Sequence, residues 1–175
     1  MKRAEIAPDR LTCLPVHDWQ KRWFLLASGD FASGAFNFMT VAWGGLGCMW
    51  DRPLAMIVVR PTRYTYEFLE KYPDFTLCQF SKEYSKKLAW CGANSGRQVD
   101  KVKHTGLTPE AGRLVAAPVF AEAELVLECR KIYWSDFDPA HFVAGYIEDN
   151  YPDKDYHRLY FGEILAAAGT AAYRG

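Results

Sequence analysis

The residues best equipped for chemistry gather in Arg60-Pro61-Thr62-Arg63-Tyr64-Thr65, where a branched apolar stretch runs into a polar one. Two guanidinium groups, several hydroxyls and free backbone amides stand together there, with no carboxylate in the local sequence until Glu67. Where a strand enters a helix, the first-turn amides lack partners and the helix dipole favours an anion, so this pattern predicts a phosphate site. Ser95-Gly96-Arg97, followed by Lys101, offers open amides and two further cations, a second place to hold a phosphate. Upstream, Asn37 and Thr40 place an amide and a hydroxyl in an otherwise apolar run that also carries Phe38, Met39, Ala42 and Trp43. A phosphorylated ligand whose bulky part lies along a sheet is the class this combination predicts.

Other chemistries find less support. No Ser/His/Asp or Cys/His arrangement suggests nucleophilic catalysis, so no catalytic side chain is assigned. His17, His104 and His141 have no metal-ligand spacing, and His157 reads as a hydrogen-bonded structural residue in a strand. Five scattered cysteines without a C-x-x-C pair argue against a disulfide framework or a zinc site, and for reduced thiols in a cytoplasmic protein.

The elements that must position these groups follow from pattern and punctuation. Met1 to Gln20 reads as an irregular lead-in, and Lys21 to Ser28 as a first strand. Gly29 to Gly34 turns the chain. Phe36 to Gly44 and Leu54 to Arg60 read as long strands joined through Gly44-Gly45-Leu46-Gly47 and a turn at Trp50 to Pro53. The first is apolar on both faces and so covered on both sides. Thr62 or Thr65 is the expected cap of a helix with Tyr64, Phe68, Leu69 and Tyr72 on its apolar side. A strand at Phe75 to Phe80, a helix at Ser81 to Gly92 and a short charged helix ending near Gly106 come next. Strands at Arg113 to Ala117, Ala123 to Trp134 and Tyr156 to Ala167 complete the reading, with loop and short helix between Asp136 and Tyr151. Strands without regular β-α-β alternation favour a mainly antiparallel barrel.

Composition bounds the rest. The chain has 175 residues, half hydrophobic, which is enough for a real core and most simply one domain. Twenty-one basic residues balance twenty-one acidic ones, so no basic excess points to nucleic acid or an anionic membrane surface. The uncharged run Phe31 to Trp50 is long enough to cross a bilayer, but its polar residues and four glycines suit a buried sheet better. The N-terminus shows no apolar signal-peptide core.

Four motifs in order carry a resemblance: N-x-M-T (Asn37 to Thr40), R-P-x-R-Y-T (Arg60 to Thr65), S-G-R-x-V-D-K (Ser95 to Lys101) and Y-H-R-L-Y-x-G-E-I (Tyr156 to Ile164). Between about Trp23 and Ala166 the chain resembles the flavoredoxin branch of the flavin reductase-like family. The resemblance implies an FMN-binding split β-barrel, mainly β with short helices, usually a homodimer with flavin near the subunit interface. It also implies redox chemistry done by FMN, with electrons from NAD(P)H or from a protein electron donor. NAD(P)H-dependent flavin reduction is the leading expectation, and flavoredoxin-like transfer from a protein partner the alternative. Asn37, Phe38, Met39, Thr40, Ala42, Trp43, Arg60, Arg63, Tyr64, Thr65, Ser95, Gly96, Arg97 and Lys101 are the expected cofactor contacts.

Overall fold

The computed structural model describes residues 2–175. Among these residues ten strands form in chain order: β1 (Ala4–Ile6), β2 (Phe24–Asp30), β3 (Ala35–Val41), β4 (Gly44–Met49), β5 (Arg52–Val59), β6 (Asp74–Gln79), β7 (Pro109–Glu110), β8 (Val119–Phe120), β9 (Leu125–Asp136) and β10 (Arg158–Gly169). Helices α1 (Pro15–His17), α2 (Tyr64–Lys71), α3 (Ser85–Ala93) and α4 (Lys101–Thr105) punctuate them. Every pairing is antiparallel, and the main sheet runs β3-β2-β6-β9-β10-β5-β4 with β1 added on β10. This is the expected mainly antiparallel β fold with short helices.

The ends of that path, β3 and β4, are consecutive in the chain, so the sheet curls until its two edges meet at Ala42-Trp43. Register shifts in β10 against β9 at Phe161/Gly162 and Ile164/Ala166 supply the bend. Gly162 permits it, because a Cβ there would overlap the Phe75 ring and Cys129. One core cluster contains Phe24, Leu26, Met39, Ile57, Phe75, Leu77, Leu127 and Tyr160. The other holds Leu25, Phe38, Cys78, Phe80, Leu88 and Phe120 under α3. Burial of each large apolar side chain contributes about 1.5–3 kcal/mol, so β3, which feeds both clusters, is fixed firmly enough to carry a site.

Several expectations need correction. The glycine-rich stretch is the edge strand β4 and not a connection, since its small residues pass close to their neighbours: a Cβ at Gly44 would overlap the Trp19 ring and the Met56 carbonyl. Trp50 and Asp51, at φ 53° and 57°, form its two-residue turn to β5. The lead-in is not wholly irregular, because β1 adds to β10 and α1 continues into a π turn over Asp18–Arg22. The first strand therefore starts at Phe24. No strand forms at 113–117, where backbone groups go to other partners: Leu114 N donates to Glu128 (2.6 Å) and the Ala116 carbonyl accepts from Phe31 N (2.9 Å). Neither Thr62 nor Thr65 caps α2; Arg63 occupies the N-cap without a side-chain bond, and Thr65 is buried within the first turn.

Candidate functional site

A groove follows β3 from Phe36 to Trp43. Its central cleft, ≈ 260 Å³, lies between Asn37 and Met39 of β3, Arg63, Tyr64 and Thr65 at the start of α2, and Asn94 to Gly96 after α3. Lys101 completes its wall. A cleft of ≈ 190 Å³ adjoins at Met39 and is lined by Thr40, Ala42, Trp43, Arg60 and His157. A third, ≈ 410 Å³, continues the other way past Asn37, Tyr64 and Gly96. Ligand pockets are typically ~300–1,000 Å³, so the joined groove, more than its central cleft alone, is the size of a cofactor site.

Charge concentrates in the central cleft. Lys101 is only 4% exposed, and its Nζ donates to the carbonyls of Phe38 (2.7 Å) and Cys91 (3.0 Å). Burial pulls its pKa down to about 8, and the neighbouring Arg63 lowers it further while Cys91 opposes the fall. Arg63 donates to the Gly92 carbonyl (2.5 Å), and burial followed by Arg60 lowers its pKa too. Among the described residues neither cation has a carboxylate partner. Two such charges in a partly dry cleft, beside the unpartnered first-turn amides of Tyr64 and Thr65, make an anion-binding arrangement.

The polar pair on the sheet is preorganised. Asn37, 6% exposed, donates through Nδ2 to Thr65 Oγ1 (2.8 Å), which joins β3 to α2. Gly96 lies against the same amide, where a Cβ would overlap Asn37 Oδ1, so glycine is required for the 94–96 loop to approach β3. Ser95 Oγ accepts from Arg97 N (3.3 Å) and shapes that loop. Thr40 Oγ1 donates to the Leu88 carbonyl (2.6 Å), tying β3 to α3.

Other expected residues have different surroundings. Arg60 donates to Asp155 (2.5 Å) and to the Asn150 carbonyl (2.6 Å), and lies 5.0 Å from the Tyr151 ring centroid. Its carboxylate partner comes from 95 residues away, where local sequence gave no warning. Arg60 therefore latches the 137–157 segment to the end of β5. Arg97 pairs with Glu67, donates to the Thr62 carbonyl (3.3 Å) and covers the Tyr64 ring at 4.9 Å. Phe38 sends its ring into the second core, 5.0 Å from Phe120, and meets Lys101 both through its carbonyl (2.7 Å) and through the ring, 5.7 Å from Nζ to the centroid.

His157, expected as a hydrogen-bonded structural residue, also lines the groove. Its Nδ1 is 2.8 Å from the Tyr151 hydroxyl and its ring is 5.1 Å from Trp43. Burial, then Arg60, drives its pKa down to about 4, leaving a neutral imidazole on the wall. The signal for it was the aromatic density of 137–157, whose rings pack on one another around Tyr151. All five cysteines are free. Burial raises the Cys91 thiol to about 11, so it is a packed thiol and not a ready nucleophile.

Comparison with known proteins bears on the fold and family. Curated protein sequences provide no match. Among solved structures, flavoredoxin from Methanosarcina acetivorans superimposes with a TM-score of 0.68 at 25% identity, over 86% of this chain and 69% of that one. Flavoredoxin of Desulfovibrio vulgaris (Miyazaki F) gives 0.67 at 24% identity, over 91% and 73%. An FMN-binding domain of a flavin reductase-like enzyme from Shewanella baltica OS155 gives 0.69 at 17%, over 96% and 77%. The flavin reductase like domain matches residues 23–169, a stretch containing β2 to β10 and the whole groove. The chain belongs to the flavin reductase-like domain family and has its split-barrel fold.

Proposed function

We propose that the groove along β3 binds FMN and that the protein works as a flavoredoxin-like electron carrier, reduced by a protein partner. The observation that carries this reading is the pair Arg63 and Lys101, two cations without carboxylates in the central cleft of a groove that continues on one side past Trp43 and His157. Arg63, Lys101 and the amides of Tyr64 and Thr65 would hold the phosphate. Asn37 and Thr65 would meet the polar chain beyond it, and Met39, Thr40 and Trp43 would line the ring. Bound FMN supplies redox chemistry by taking up and releasing electrons. The chain's own part is to fix the anion, keep Asn37 and Thr65 oriented, and hold a neutral His157 beside Trp43. Trp43 is 46% exposed, so electrons need cross little protein on that side.

Likeness to the M. acetivorans flavoredoxin supports the flavoredoxin-like reading over NAD(P)H-dependent flavin reduction. Anaerobic mixing of FMN-loaded protein with NADH or NADPH tests this. The carrier reading expects little bleaching over many seconds and no turnover of added free flavin. Rapid multiple turnover would instead make the protein an NAD(P)H-dependent flavin reductase. We also infer a homodimer, supported by the exposed rings of Trp50, in the β4–β5 turn, and Tyr133, on β9, which pack on each other (6.2 Å) and on Phe161; sedimentation showing only monomer with FMN present refutes it.

A further inference from the structure

A cavity of ≈ 350 Å³ shares no lining residue with the β3 groove. Its floor is apolar, from the buried side chains of Phe80 and Leu88. Its rim is basic, from His17, Lys21, Arg22 and Lys82, and no carboxylate lines it. Ser81 and Ser85 complete the lining; Ser81 Oγ donates to Glu83 (2.9 Å), which leaves Ser85 as the uncommitted hydroxyl.

The charges on this rim are not equivalent. Arg22 is occupied, donating to the Phe80 carbonyl (2.9 Å) and to Glu124 (2.6 Å), with Asp18 at 3.8 Å. Asp18 is itself buried and accepts from Leu14 N (3.0 Å). Lys21 and Lys82 have no ion-pair partner among the described residues. The π turn that places Lys21 ends at Trp23, whose φ of 63° is strained for a bulky residue and is held by its N–H to the Asp18 carbonyl (2.7 Å). The backbone is thus fixed in an unfavourable conformation where it sets two basic side chains over an apolar floor.

We propose that this cavity binds a small organic phosphate, its phosphate between Lys21 and Lys82 and its apolar body on Phe80 and Leu88. Two ammonium groups without ion-pair partners and the Ser85 hydroxyl suit a phosphate monoester, and the floor gives a flat or apolar body a place that inorganic phosphate leaves empty. The proposal stands whatever the β3 groove holds.

Isothermal titration with 5′-AMP as the probe tests it, with adenosine and inorganic phosphate as controls and each run repeated with FMN in excess. AMP is expected to bind with or without FMN, with adenosine and phosphate each at least about tenfold weaker, the size of one modest charge-assisted contact. The double change Lys21→Ala with Lys82→Ala, at exposed side chains that make no bond, should weaken AMP at least about tenfold and leave FMN titration unchanged. Absence of AMP binding, equal affinity for AMP and either control, displacement of AMP by FMN, or an unchanged double variant overturns the proposal.

Discussion

Arg63→Ala and Arg60→Ala should behave differently, although the two arginines stand three residues apart. Arg63 borders the central cleft without a carboxylate partner, so its loss removes a charge-assisted contact to the FMN phosphate of about 1.5–3 kcal/mol. FMN affinity should then fall roughly 10- to 150-fold, since each 1.4 kcal/mol is tenfold. Adding Lys101→Met removes the second cation, and the loss should exceed about a hundredfold even if the two contacts are not fully additive. Riboflavin has the ring without the phosphate, and its affinity should change by less than about threefold in either variant. Arg60 is committed to Asp155 and the Asn150 carbonyl, so Arg60→Ala loosens the segment behind His157 and should weaken FMN and riboflavin alike. Fluorescence titration of both ligands into each variant is the assay. Equal losses of FMN and riboflavin in Arg63→Ala, or an FMN-selective loss in Arg60→Ala, would refute this division.

Other outcomes follow from the same geometry. Because the Lys101 pKa lies at about 8, the ammonium is present below that pH and lost above it; FMN affinity should fall as pH rises through about 8 while riboflavin affinity stays level, read by titration across that range. His157 has a folded pKa of about 4 against an ordinary 6.5, so the unfolded chain binds the extra proton: stability is intact above about 6.5 and declines as pH falls toward 4, and a His157→Gln protein should show a flatter thermal midpoint over that window. Gly96→Ala drives a methyl into the Asn37 amide and should weaken FMN at least about tenfold with the far-ultraviolet circular dichroism unchanged; an unaltered affinity would mean that the 94–96 loop does not shape the site.

Much of this arrangement is legible in the sequence because it rests on local rules. The alternation of Asn37, Met39 and Val41 against Phe38 and Thr40 predicts a strand covered on both sides, and β3 contributes to two cores. The short charged helix expected to end near Gly106 is α4, and Gly106 takes φ 61° at its C-cap. Long-range partners are what local sequence hides. Asp155 neutralises Arg60, Glu67 takes Arg97, and Lys101 finds carbonyls on β3 and α3, so of four candidate cations only Arg63 and Lys101 face the cleft without a carboxylate. The β4 reading failed for a related reason: glycines signal turns locally, but Gly44 serves a close approach that only the packed Trp19 reveals.

Whether one FMN is held in the β3 groove by its phosphate is decided by reconstituting the protein with FMN or riboflavin, desalting it, and recording the visible flavin spectrum. Close to one FMN should be retained per chain and riboflavin largely washed away, with FMN retention lost in the Arg63→Ala, Lys101→Met protein. A colourless wild-type protein after desalting, or equal retention of the two flavins, would contradict binding through the phosphate.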